Sequence, residues 1–139
     1  MVSQKIQVLN DTYYKGTMGF DQFVLGATLA ASAYLAQTAT YDRIAWNAST
    51  LQLLPLLALG VTAFLGFKRI ESSIQTIKLN SAYLELCADH PGTQFQEPRA
   101  IVQKESDRSG FYYGLRNKFI LISFVVFVSV KILVKYNIF

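Results

Sequence analysis

Cys87, Asp89 and His90 stand together in the run CADHPG, the densest grouping of reactive side chains in this chain of 139 residues. A thiol and an imidazole three positions apart can share a metal ion or act as a nucleophile and its base. The chain cannot complete either arrangement, because Cys87 is its only cysteine and His90 its only histidine. The same count excludes an internal disulfide and a CxxC zinc site. His90 also falls where a helix is expected to end. A helix carboxyl terminus favours a cationic imidazole without any catalytic role. The sequence contains no Gly-rich phosphate loop, no GxSxG and no HExxH. No catalytic residue, metal or cofactor is therefore expected, and the expected class is non-enzymatic.

The remaining ionisable residues are informative through where they are missing. Charged residues make up only 16% of the chain and hydrophobic residues 52%, against about 25% charged in ordinary soluble proteins. Twenty uncharged residues lie between Asp21 and Asp42, and twenty-four between Arg43 and Lys68. A third apolar run, Phe119 to Val134, is interrupted only by Lys131. A helix needs roughly 20 residues to cross a bilayer. Lys131 and Lys135 can lift their ammonium groups to the nearer interface. The apolar runs hold no acid and no histidine, which leaves no proton relay and no ion-coordinating pair at mid-membrane.

The expected fold is an all-α integral membrane protein: three transmembrane helices, with a cytoplasmic helical loop between the second and third. The whole chain reads as one membrane domain, with an amino-terminal juxtamembrane segment over 1–19. The first span is expected over 20–41 and the second over 49–67, with a helical extension over 68–90. A loop and juxtamembrane segment follows over 91–118, and the third span over 119–136. The first nineteen residues lack the apolar core of a cleavable signal, so the first span is expected to remain as a signal anchor.

The formal charge of +4 is too small and too scattered for a nucleic-acid footprint. It reads better as an orientation signal. With three spans, ten Lys and Arg residues fall on the side of the amino terminus and the long loop. Three (Arg43, Lys131, Lys135) fall on the other. That bias predicts a cytoplasmic amino terminus.

Three sets of residues could meet partners. In the first span, Gly26, Ala30, Ala33 and Gln37 recur at steps of four, three and four, and so share a helix face. Small residues at that spacing allow close backbone approach in lipid, and the Gln37 amide would seek a partner. In the extension, Ile70, Ile74, Ile77, Ser81 and Leu84 form an amphipathic stripe that needs burial against a second copy, the loop or a partner. Nothing breaks this helix before His90-Pro91-Gly92, so the second span is expected to run out of the bilayer to about Asp89. Ser49 is the expected N-cap of that helix, and Pro55, just past its first turn, should free the Leu51 carbonyl. TQFQEPRA (93–100) reads as a turn-rich connection. Last, Tyr112, Tyr113, Arg116 and Lys118 have the composition of a membrane–water interface. An anionic-lipid site there is disfavoured, because two basic residues fall short of the roughly four to eight that such sites usually show. Tyr13, Tyr14 and Lys15 repeat that signature before the first span, as do Tyr41 and Trp46 after it.

The expected partners are membrane lipids together with further copies of the chain or another membrane protein, and no nucleic acid. The expected function is helix–helix association in a membrane, as a self-associating effector or pore former. The alternative is an accessory subunit or immunity-type protein that occludes another protein's spans. A lipid-modifying enzyme is the disfavoured third reading.

Overall fold

A computed structural model shows three long helices and no other regular element among the described residues: α1 (Val2–Thr38), α2 (Ala48–Asp89) and α3 (Gln96–Lys135). It describes residues 2–39, 47–90 and 95–136, the side chains of 2–10 and 48 aside. Residues 40 and 41 of the expected first span, with Trp46, Pro91 and Gly92, lie outside the described residues. The all-helical expectation holds. Two helices, α2 and α3, are long and apolar enough to cross a membrane, whereas α1 is not apolar enough to meet that criterion.

Local chemistry sets the helix ends. The N-cap of α2 is Asn47, two residues earlier than the expected Ser49. Its side-chain oxygen accepts from the Thr50 amide at 2.9 Å and the Thr50 hydroxyl at 2.8 Å. These bonds satisfy donors that the first helical turn leaves open. Pro55 lies inside the helix without ending it. The other end of α2 falls at Asp89, with His90 as its C-cap, as the missing breaker had suggested. The His90 and Phe95 rings meet edge to face at 5.9 Å and tie the end of α2 to the start of α3.

The structure departs from the sequence reading between 96 and 118, where a loop was expected. Helix α3 begins at Gln96 and runs unbroken through the expected third span to Lys135. Pro98 does not interrupt it, because the third position of a helix has no intrahelical amide bond to lose. Glu97 in the first turn and Lys135 in the last complement the helix dipole.

The helices run antiparallel, with α2 between its neighbours and packed most extensively along α3. Their apolar halves lie together at one end and their polar halves at the other. The interior is polar where a soluble protein's would be oily. Among the described residues, only Ala63, Leu65 and Val130 form a buried apolar core, and the largest fully buried side chains are Arg116 and Thr62. Phe23, Leu57, Phe64, Leu121 and Phe124 point outward. Within the most apolar stretches of α2 and α3, 28% and 11% of residues are buried. The core helix of a soluble protein would be mostly covered, whereas most of these apolar surfaces are exposed in the single chain.

Candidate functional site

The three helices meet most closely where their apolar halves give way to their polar halves. Asp21 precedes the uncharged run of α1, Arg69 follows that of α2, and Arg116 lies three residues before that of α3. Antiparallel packing brings all three to one level. Arg116 Nη1 donates to Asp21 Oδ1 at 2.7 Å, and Arg69 Nε stands 3.3 Å from Asp21 Oδ2. Asp21 is 2% exposed and Arg116 fully buried. Arg116 Nε and Nη2 each donate to Asn117 Oδ1, at 3.4 and 3.3 Å.

Tyr113 sits beneath both guanidinium groups, 5.5 Å from Arg69 and 5.2 Å from Arg116, within cation–π range. Arg69 Nη1 also donates to the Ser109 hydroxyl, which lies 3.1 Å from the Ser73 hydroxyl. One turn further out, the Ser72 hydroxyl donates to Glu105 at 2.7 Å. Deeper in the apolar half, Thr62 and Ser123 meet at 3.3 Å. The α2–α3 seam is thus built from small hydroxyl residues that pair across the helices, close enough for charged groups to be satisfied inside.

At the outer edge of the cluster, Lys68, Glu71, Glu105, Arg108 and Tyr112 surround a polar hollow of about 270 Å³. A hydrogen bond from Lys68 holds the Glu71 carboxyl below its usual range. A hydrogen bond to Tyr112 raises the Arg108 guanidinium. Farther along α2, a hydrogen bond with Cys87 pushes the Tyr83 phenol up.

A second feature opens beside the cluster. Thr12, Tyr13, Gly16, Thr17 and Phe20 of α1 face Arg69, Gly110 and Tyr113 across a groove of about 970 Å³ with mostly apolar walls. No side chain crosses it from Gly16 or Gly110, and a Cβ at either would meet nothing within 4 Å.

The sequence-predicted residues are distributed unevenly about this centre. Arg116 and Tyr113 belong to it, though Arg116 is buried rather than at the surface. Tyr112 pairs with Arg108, and Lys118 is exposed. Gly26, Ala30, Ala33 and Gln37 lie on an exposed face of α1. The α1 face that meets α2 carries Asp21, Leu25, Thr28 and Leu35 instead. Leu25 reaches so close to Gly66 that a Cβ there would stand 3.3 Å from its methyl carbon. Along the stripe, Ile70 is half-buried while Ile74, Ile77 and Leu84 are exposed. Asp21 and Arg69 were missed as site residues, since pairs so far apart leave no local pattern. The available signal was positional: an acid opening the first apolar run, with bases closing the second and opening the third.

Among the described residues, no three His, Cys, Asp or Glu side chains come together as a metal-binding group. Comparison with protein families, with curated proteins and with solved structures finds no match to this chain.

Proposed function

We propose that the chain is a three-span membrane protein, with its amino terminus in the cytoplasm, that works by associating with further copies of itself through α1. The observation that carries this reading is the exposed small-residue face of α1. Gly26, Ala30, Ala33 and Gln37 all face outward in the single chain, although such residues gain little from lipid contact. A face of that kind gains from a second helix backbone at close range.

Membrane placement of α1 is supported by its register. The Asp21 ion pairs hold it beside α2 and α3. From Asp21 to Thr38 it covers eighteen residues, about 27 Å against a hydrocarbon core of about 30 Å. Its low hydropathy is partly masked. Thr28, Ser32 and Thr38 donate to the carbonyls of Val24, Thr28 and Tyr34, four residues back, at 2.7, 2.8 and 2.9 Å. Hydroxyls satisfied within their own helix cost far less in lipid than free ones. The inverted burial pattern, apolar outside and polar within, supports lipid as the surroundings of α2 and α3.

The second reading is an accessory subunit that offers the same face to a different membrane protein. Oligomeric mass in mild detergent separates the two. Self-association predicts a discrete multimer that falls to monomer in Gly26→Leu with Ala30→Leu, while insertion is kept. A monomer at all concentrations, or an unchanged multimer in the double variant, would sink the proposal. Vesicle leakage by the multimer, and none by the double variant, would extend the reading to a pore-forming effector.

A further inference from the structure

We infer that the groove between α1 and the Arg69–Tyr113 wall holds the headgroup of one anionic phospholipid, with its phosphate against Arg69. The charge balance of the buried cluster points to an anion. Among the described residues, Asp21 is the one carboxylate facing both Arg69 and Arg116, which leaves one positive charge in excess there. Neighbouring charges do not cancel it: Glu71 pairs with Lys68 and Glu105 with Arg108. Of the two arginines only Arg69 is reached from the groove. Its side chain is 15% exposed against 1% for Arg116. The Arg69 Nε is buried against Asp21 and makes no hydrogen bond, so it is the exposed part of the guanidinium that a phosphate oxygen would meet.

The walls point to a lipid rather than a small ion. Phe20 and Tyr13 on one side and Tyr113 on the other are ring surfaces, fit to cover glycerol and the first acyl methylenes. Gly16 and Gly110 keep the space between them open. The groove lies at the level where the apolar halves end, which is headgroup depth if the spans are placed as proposed above. The inference rests on that placement but not on self-association.

The test is native mass spectrometry of the full chain released from detergent. Phosphatidylglycerol and phosphatidylcholine with identical acyl chains are titrated separately. One phosphatidylglycerol should be retained at roughly tenfold lower concentration, the order expected of one charge-assisted contact. Arg69→Gln should erase that preference. Gly110→Leu has open space for its side chain and should keep the helical content while closing the groove to both lipids. Should Arg69→Gln fail to fold, Gly110→Leu and Gly16→Leu decide. Equal retention of the two lipids, or retention unchanged in the glycine variants, would overturn the inference. Displacement by inorganic phosphate at matched concentration would also overturn it, in favour of a free-anion site. The same spectra report oligomer mass, so failure here and failure of self-association are read separately.

Discussion

Arg116 on α3 and Asp21 on α1 form a 2.7 Å ion pair whose two side chains are only 1% and 3% exposed. Among the described residues, the helices that carry them make no close backbone approach to each other, because α2 lies between them. A charge pair this deep does not stabilise much relative to a well-packed apolar pair. Breaking one side of it is costly, because the surviving charge is stranded.

The cluster therefore predicts an asymmetry. Asp21→Asn strands two arginines, while Arg116→Gln leaves Asp21 with Arg69 as a neutral pair 3.3 Å apart. Removing the acid should cost about 3–5 kcal/mol and removing Arg116 clearly less. Thermal unfolding in detergent, followed by circular dichroism, measures both. Equal losses would mean that Arg69 does not share Asp21.

Helix α1 is held in register from below the cluster by Gly66. A Cβ there would come within 3.3 Å of the Leu25 methyl and 3.8 Å of Arg116 Cδ. Gly66→Leu should push α1 off α2 and cost about 1–3 kcal/mol, as overpacking does. Gly60, one and a half turns away on the same helix, has nothing within 4 Å. Gly60→Leu should be tolerated. Unfolding temperatures of the two variants, compared side by side, test whether α1 and α2 pack where the structure places them.

How much of this could be read beforehand depended on whether the signal was local. The length of α2 was legible because nothing between Lys68 and Asp89 breaks a helix. The amino-terminal half of α3 was not. Pro98 and a run of polar residues resemble a connection, and the contacts that favour helix there come from α2. Ser72 reaches Glu105, and Ser73 meets Ser109. Arg116 looked like an interfacial cation for the same reason, since its partner is 95 positions earlier. The small face of α1 was legible as a face, but periodicity does not state which neighbour it meets. The placement of Leu25 against Gly66 and of Asp21 against Arg69 shows that a different face is turned to α2.

The isoleucine stripe yields a prediction with two readouts. Ile74 is 54% exposed and Ile77 46% in the single chain. Ile74→Asp or Ile77→Asp should therefore leave the monomer's stability within about 0.5 kcal/mol, as at most surface sites. If copies cover the stripe, the same change should weaken the multimer by on the order of 2–4 kcal/mol. Sedimentation in detergent reads the second effect and chemical unfolding of the monomer the first. Loss of monomer stability would mean that the stripe is buried within one chain. An unchanged multimer would show that assembly leaves it uncovered.

The last prediction is topology. Ten basic residues on the side of the amino terminus and α2–α3 hairpin, against three on the other, favour a cytoplasmic amino terminus. The cluster adds a geometric constraint. Asp21, Arg69 and Arg116 lie at one level, so three spans placed as proposed all carry their polar halves on the same face of the bilayer. Reporter fusions after Gly16, within 45–49 and after Phe139 should then report inside, outside and outside. A cytoplasmic signal from the last would mean that the apolar half of α3 does not cross. Because Asp21 binds Arg116 on that helix, such a result would also require the cluster to come apart in the membrane. Asp21→Asn in the same fusions distinguishes the cases. If the ion pair guides insertion, the last reporter should lose its outside signal in this variant while the first stays inside. If α3 inserts on its own apolarity, all three signals should persist.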